Sequence, residues 1–110
     1  MSNGFVTKDS GKRKEWDSGF KRDTDDGKNR YDLIPVEMLD RLAGLYTRGM
    51  EKYGEDNWKL ANSDEEIERF KQSAWRHFVD WQSNRNIEED HAMAVVFNVF
   101  AYEYLKGKEV

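Results

Sequence analysis

The chain has 110 residues, of which 36% are charged and 14% aromatic, with a net charge of −4 and no cysteine. This size allows one domain, and the lack of cysteine excludes disulfides and thiolate metal sites. The acidic balance excludes nucleic-acid binding through bulk charge, and the aromatic content excludes disorder along the whole chain. Residues 1–14 lack the apolar core of a signal peptide, so we expect a cytoplasmic protein with no membrane partner.

Residues 1–29 predict a flexible, basic arm, and residues 30–110 predict a helical domain. The arm carries glycines and many charges without a sustained period. A basic cluster, which can meet phosphate or simply stay solvated, consists of Lys12, Arg13 and Lys14. Trp16 and Phe20 indicate that part of the arm docks on another surface. One hypothesis is therefore that the basic arm captures a host factor.

The first helix is predicted to begin at Pro35, because proline suits a first helical turn, and to end at Gly54. Apolar residues follow at steps of three or four, which is the spacing of one helical stripe: Val36, Leu39, Leu42, Tyr46, Met50 and Tyr53. Asn57 and Trp58 lie in the next loop. An amide can read the edge of a nucleobase, and an indole can stack on one.

The second helix is predicted to begin at Ser63, which forms a capping box with Glu66, and to run to about Ser83. Its predicted buried stripe consists of Ile67, Phe70, Ala74, Phe78 and Trp81. One flank of that stripe, where a core meets a cleft, carries Ser73, His77 and Asp80.

The third helix is predicted to begin near Ile87, since Asn86 and Glu89 have the spacing of a cap. Its run from residue 91 to residue 105 is apolar around the whole circumference, which predicts a buried central helix. His91 and Asn98 are seven residues apart and share one stripe. Each needs a partner when buried, either as an ordinary core polar residue or as part of a site.

A short turn makes the second and third helices antiparallel neighbours, so four polar side chains are predicted to converge where they meet: His77, Asp80, Asp90 and His91. Two interpretations fit this cluster. Imidazoles and carboxylates can bind a divalent metal, and a His–Asp hydrogen bond between helices needs the same residues. The sequence has no glycine-rich phosphate loop, no Ser–His–Asp order and no dinucleotide fingerprint.

An ordered set of short motifs resembles a family of small phage proteins, the dATP/dGTP diphosphohydrolase, N-terminal domain. The set is GKNRYDLIP at Gly27–Pro35, then Tyr46, Gly49, Lys52-Tyr53-Gly54, Asn57-Trp58, Arg76-His77, Asp90-His91-Ala92 and Asn98. Many members of that family have a second histidine where this chain has Ala94. A metal site here would therefore use His77, Asp80, Asp90 and His91.

The resemblance implies an enzyme that hydrolyses dATP or dGTP to the monophosphate and pyrophosphate with magnesium, manganese or cobalt. Together with the predicted convergence at the helix seam, it leads us to expect catalytic roles for His77, Asp80 and Asp90. The nucleotide-binding residues that it implies are Lys28, Arg30, Asp32, Lys52, Tyr53, Asn57, Trp58, Arg76 and Asn98. The alternative is a nucleotide-binding protein without chemistry, which sequesters or senses a host nucleotide. We expect an all-α fold of three main helices with an irregular N-terminal arm, assembled as a homo-oligomer.

Overall fold

The structure is a computed structural model that describes residues 6–24 and 27–108. They fall into two compact units, one of which ends at Leu33 while the other begins at Ile34. The predicted arm is described only in part, because residues 1–5 and 25–26 lie outside the described residues. Residues 109–110, at the end of the predicted helical domain, also lie outside them.

The first unit contains a two-stranded antiparallel sheet, in which β1 (Arg13–Glu15) pairs with β2 (Lys21–Asp23). The Trp16 N–H donates to the Phe20 carbonyl at 2.9 Å, and Gly19 in the loop has a φ of +88°. A three-residue loop with glycine in the left-handed region is a common hairpin connection. The prediction of an irregular arm is therefore wrong for this hairpin. Its short, charged strands carry no apolar alternation that would have revealed them.

The described part of the second unit folds into three α-helices, which confirms the predicted number of main helices. They are α1 (Val36–Tyr53), α2 (Asp64–Gln82) and α3 (His91–Gly107). Short 3-10 helices lie at Tyr31–Leu33, in the first unit, and at Asn57–Leu60, between α1 and α2. None of the helices described here combines the length and apolar character that crossing a membrane requires.

Local signals set the ends of α1 and α2 as predicted. Ser63 Oγ accepts a hydrogen bond from the Glu66 N–H, and the Glu66 carboxylate accepts one from the Ser63 N–H, which is a complete capping box. Pro35 immediately precedes α1, and Gly54 ends it with a φ of +99°. A residue with a side chain would be strained at that φ, so glycine is the residue that fits there.

The predicted start of α3 is wrong by four residues. Asn86 does not cap a helix but adopts a left-handed conformation, with a φ of +51°, within the turn after α2. The helix begins at His91, and the Asp90 carboxylate caps it by accepting from the Met93 N–H at 3.2 Å. Two overlapping signals compete here, because both Asn86 and Asp90 are residue types that favour an N-cap.

Helices α2 and α3 pack antiparallel. Contacts join the end of α2 to the start of α3 through His77 and His91, and the start of α2 to the end of α3 through Asp64 and Lys106. The buried residues of α3 form one stripe at helical spacing: His91, Ala94, Asn98, Ala101 and Leu105. The only buried residue described on α2 is Ile67.

The prediction that α3 is buried on all sides is wrong. Its opposite face is open to solvent, with Val99 46% exposed and Phe100 53% exposed. The predicted stripe of α2 is also open towards its C-terminal end, where Trp81 is 53% exposed. The physical reason is the number of neighbours, since two helices and a short loop are too few to surround a third helix.

Helix α1 lies along α3 and runs in the same direction, because Arg41 contacts Asp90 and Tyr46 contacts Phe97 one or two turns further along both helices. It has no buried residue. Ring contacts contribute to its packing. Tyr46 and Phe97 lie 5.0 Å apart between centroids, and Trp58 meets Phe97 at 5.9 Å, both edge to face.

The small core makes Ile67 a strong test of this packing, because Ile67 is 2% exposed whereas Ile87 is 81% exposed. Ile67→Ala should lower the free energy of unfolding by about 2–5 kcal/mol, through lost burial and the cavity left behind. The same substitution at Ile87 should change it by less than about 0.5 kcal/mol. Urea unfolding followed by circular dichroism measures both. Equal losses in the two variants would show that α2 does not pack through Ile67.

Candidate functional site

Two histidine rings meet where α2 and α3 converge. The Nδ1 atoms of His77 and His91 are 2.9 Å apart, within hydrogen-bond distance. His91 Nε2 lies 2.7 Å from the Asn86 carbonyl oxygen. His91 is 5% exposed, while His77 is half-buried. The predicted convergence of the two imidazoles is therefore present in the fold.

These contacts define which ring nitrogens carry protons when both rings are neutral. A carbonyl oxygen can only accept, so His91 Nε2 carries the proton and donates it to Asn86. His91 Nδ1 then has a lone pair and accepts from the Nδ1–H of His77. It follows that His77 Nε2 has no proton. That atom has no protein hydrogen-bond partner among the described residues, and it is therefore available as a base.

The electrostatics of the pair favour this neutral state for His77. Burial holds the pKa of the His77 imidazole below its ordinary value, and the neighbouring His91 ring lowers it further. Glu89 and Asp80 act in the opposite direction but are weaker. At neutral pH His77 is accordingly a neutral imidazole, which is the form that can take up a proton.

Asp80 reaches the histidine pair only at its edge. One carboxylate oxygen, Oδ2, accepts a hydrogen bond from Asn86 Nδ2 at 3.2 Å and lies 4.0 Å from His91 Nε2. The other, Oδ1, forms an ion pair with Arg85 at 3.3 Å. Through these contacts with Asn86 and Arg85, Asp80 stabilises the turn that follows α2, beside the histidines.

Asp90 faces a partner that the sequence did not indicate. Arg41 of α1 donates two hydrogen bonds to it, one from Nε and one from an Nη, each at 2.6 Å. These bonds hold the pKa of the Asp90 carboxyl below its ordinary value. The same carboxylate caps α3. The Asp90 carboxylate thus contacts α1 and its own helix, and among the described residues it makes no hydrogen bond to either histidine.

This geometry bears on the predicted metal site. Each of the four predicted ligands makes its hydrogen bonds to protein groups. The two histidine Nδ1 atoms point at each other, and the Asp90 carboxylate is held by Arg41. Within residues 6–24 and 27–108, no three His, Asp or Glu side chains are grouped so that they could hold a metal ion. The four side chains as they stand do not fit a resident metal.

A cleft of about 1150 Å³ opens beside the histidine pair, within the second unit. Seven predicted site residues line it: Lys52, Tyr53, Asn57, Trp58, His77, Asp90 and Asn98. They come from α1, the following 3-10 helix, α2 and α3, so folding joins segments that are far apart in the sequence. Asp80, His91 and the exposed Arg76 are absent from that lining.

The aromatic wall of the cleft is formed by packed rings. Trp58 is not an open stacking surface, because its ring meets Phe97 at 5.9 Å and Tyr104 at 5.4 Å, both edge to face. Tyr53 is 63% exposed, and the Lys52 ammonium lies 4.9 Å from its ring centroid. The contact with the Tyr53 hydroxyl raises the pKa of Lys52. Lys52 and Tyr53 are therefore more accessible to a ligand than Trp58 is.

Asn98 is 6% exposed and lies between two openings. Its Nδ2 donates to the Ala94 carbonyl of its own helix at 2.8 Å, which leaves the Oδ1 carbonyl as an acceptor. It lines the cleft and also a groove of about 660 Å³ on the other side of α2 and α3. A buried amide with a free acceptor can bind a ligand N–H from either opening.

Three predicted nucleotide-binding residues belong to the first unit: Lys28, Arg30 and Asp32. Arg30 donates two hydrogen bonds to the Asp32 carboxylate, at 2.8 and 2.6 Å. These bonds hold the pKa of Asp32 below its ordinary value. Both side chains are well exposed, so solvent weakens the pair.

Sequence reasoning missed Arg41 and the acceptor role of the Asn86 backbone. Arg41 and Asp90 are 49 residues apart, and no spacing rule connects positions so distant. Asn86 carried a usable signal, because asparagine tolerates the left-handed conformation better than most residues. It was interpreted instead as a helix cap. Ser73 was placed on the correct flank of α2, since it lines the cleft with His77.

Comparison with protein families gives a match. A family model described as dATP/dGTP diphosphohydrolase, N-terminal, matches residues 18–110. No curated protein and no solved structure matches the chain.

The lowered pKa of His77 predicts how stability depends on pH. The His77 imidazole binds a proton more tightly in the unfolded chain than in the folded chain. The free energy of unfolding should therefore fall as the pH drops below about 6.5, towards the pKa of His77 in the folded chain. Measurements should stay above about pH 5, where carboxylates with lowered pKa values do not yet contribute.

Urea unfolding at several pH values measures this slope, and His77→Asn is the matched variant. Asparagine Nδ2 can replace the Nδ1–H that donates to His91 but does not titrate. The slope should therefore be flatter in the variant. An unchanged slope would mean that another group carries the pH dependence.

Proposed function

The chain belongs to the dATP/dGTP diphosphohydrolase, N-terminal, family, and we propose from this membership that its cleft binds a purine deoxynucleoside triphosphate and hydrolyses it. The products would be the monophosphate and pyrophosphate. The description names the N-terminal part of such enzymes, so the activity of a whole enzyme enters here as part of the proposal. The observation that carries the proposal is the free Nε2 of a neutral His77 at the wall of a cleft.

His77 is suited to act as a general base in this reaction. Its Nε2 lone pair would take a proton from water as the water oxygen attacks the α-phosphorus. The bond from that phosphorus to the bridging oxygen of the β-phosphate would break, and pyrophosphate would leave. His91 would act as a positioning residue, because its hydrogen bond fixes the His77 tautomer and ring orientation. General-base catalysis of this kind contributes about 10²- to 10⁴-fold to a rate.

The predicted binding residues divide by position. Among the predicted phosphate-binding cations, Lys52 lines the cleft, so we assign the phosphates to it. We assign the base to Asn57 and Tyr53, which line the same cleft. Asn98 would accept from an N–H of the base through its Oδ1. Arg76 stays in the proposal as a further phosphate ligand. The phosphate role of Lys28 and Arg30 stays a prediction for the first unit, where Asp32 orients Arg30.

A divalent metal enters the proposal with the nucleotide. Magnesium, manganese or cobalt bound to the triphosphate would neutralise phosphate charge as part of the substrate. Assigning it there agrees with the engaged state of Asp80, Asp90 and the histidines. We assign no step of the reaction to a metal held by those side chains.

A second candidate function is nucleotide binding without chemistry, as in a protein that sequesters or senses a host nucleotide. Two observations favour it: the described residues lack a grouped set of metal ligands, and the Asp90 carboxylate and both histidine Nδ1 atoms already have partners. Calorimetry with dATP and dGTP separates the two functions. Binding that is unchanged by a chelator and yields no product supports this second candidate.

The enzymatic proposal predicts that the purified chain releases pyrophosphate from dGTP or dATP in the presence of a divalent metal. His77→Asn should lower kcat about 10²-fold or more while the helical content is kept, because the donor to His91 is retained and the base is lost. Gln72→Ala, an exposed substitution on the same helix, is the control and should keep the wild-type rate. A His77→Asn variant with full activity would disprove the role of the base.

We also propose that the chain forms a homo-oligomer. Support comes from large apolar side chains along one groove of α2 and α3, where Trp75 is 68% exposed and Phe78 and Val99 lie beside it. Light scattering coupled to gel filtration should give a multiple of 13.1 kDa. Trp75→Lys should shift the mass towards one chain, whereas Ile87→Lys, which lies outside the groove, should not. A monomeric wild-type chain would refute the proposal.

A further inference from the structure

The hairpin in the first unit has two chemically different faces. Side chains alternate between the faces of a strand, so the register assigns each residue to one of them. Arg13 pairs with Asp23 and Glu15 pairs with Lys21 on the first face. Lys14 pairs with Arg22 on the second face, next to the aromatic residues that close the hairpin, Trp16 and Phe20.

The first face is balanced in charge. Arg13 forms an ion pair with Asp23 at 2.6 Å and another with Asp9 at 2.7 Å. Lys21 stands opposite Glu15, so each cation on this face has a carboxylate as its cross-strand neighbour. Opposite charges in this position stabilise a hairpin, which gives these residues a sufficient structural role.

The second face is not balanced. Lys14 and Arg22 stand directly opposite each other, and two like charges in that position destabilise a hairpin. Both side chains are exposed. In residues 6–24 and 27–108, neither of them lies within ion-pair distance of a carboxylate. An anion placed between the two cations would remove this repulsion.

Two aromatic rings extend this face. The ring centroids of Trp16 and Phe20 are 5.1 Å apart, and the two residues are 42% and 52% exposed. The Lys14 ammonium lies 4.9 Å from the Trp16 ring. Cations beside exposed aromatic rings are the combination that binds nucleotides without regard to sequence, since cations meet phosphates and rings stack on bases.

We propose that this face of the hairpin binds a nucleotide unit with an unpaired base. The phosphate lies between Lys14 and Arg22, and the base stacks on the Trp16–Phe20 pair. Such a unit can come from single-stranded nucleic acid or from a free nucleotide, and the chemistry of recognition is the same. The site belongs to the first unit and does not depend on the function proposed for the cleft.

The test uses the full chain and two fluorescent probes, an oligothymidylate strand and labelled dGMP, with anisotropy as the readout. Lys14→Gln and Arg22→Gln should each weaken binding about tenfold, the effect of one charge-assisted hydrogen bond. Lys21→Gln is the matched control, because it makes the same change in net charge on the first face, and it should bind as the wild type does. None of these residues lines the cleft.

Salt dependence adds a second readout. For the oligothymidylate, two phosphate contacts should give a slope of about −1.4 in a plot of log K against log salt, and each Gln substitution should remove about half of it. Trp16→Leu should weaken binding without changing that slope, because it removes stacking but no charge.

Lys14→Glu separates binding from folding. Glutamate opposite Arg22 should stabilise the hairpin. Hydrogen exchange of the Trp16 amide, which donates to the Phe20 carbonyl, should therefore become slower. Binding should weaken nevertheless. The proposal is overturned if neither probe binds the wild-type chain, if Lys14→Glu binds as well as wild type, or if Lys21→Gln loses as much affinity as Lys14→Gln. Binding of only one probe identifies the source of the nucleotide unit and supports the proposal.

Discussion

The turn between α2 and α3 is the constraint on which the candidate site depends. Asn86 adopts a left-handed backbone conformation, and its carbonyl accepts from His91 Nε2 at 2.7 Å. That bond fixes the proton of His91 on Nε2, so His91 Nδ1 accepts from His77 Nδ1–H. His77 Nε2 is then left without a proton. A backbone group in a loop thus controls the chemistry of a side chain on another element. The antiparallel packing of the two helices brings the rings together, but the turn determines what they can do.

The Asp90 carboxylate makes structural contacts that compete with ligand binding. It caps α3 and accepts two hydrogen bonds from Arg41, which joins α1 to the start of α3. No residue of α1, which is described throughout, is buried, and this ion pair and the ring contacts of Tyr46 are two of the contacts that join it to α3. Solvent screens the pair on the Arg41 side, so it orients α1 more than it stabilises it. A carboxylate so engaged is poorly suited to bind a metal as well.

The sequence predicted those features that local rules determine. The Ser63 capping box, the stop at Gly54 and the antiparallel packing of α2 on α3 follow from residues close together in the chain, and the structure confirms them. The predicted start of α3 was wrong, because Asn86 and Asp90 are both residue types that favour an N-cap, and the bond from Arg41 to Asp90 is not visible in the sequence. The hairpin was missed because its strands are three residues long and charged on both faces. Pairing register, which creates its two faces, is not visible before the strands are known.

The charges around the cleft explain why the proposed substrate would enter with its metal. Its lining includes two cations, Arg48 and Lys52, and five acidic residues, Glu55, Asp56, Glu88, Glu89 and Asp90. Asp90 is neutralised by Arg41 and Asp56 is paired with Lys59, yet the glutamates remain to repel a bare triphosphate. A triphosphate that carries a divalent ion has a smaller charge to bring past them. A metal that enters on the triphosphate would need no protein ligands, which agrees with histidines and aspartates that already bond to protein groups. On this argument the balance of charge at the rim, more than any single ligand, would select metal–nucleotide complexes over free nucleotides.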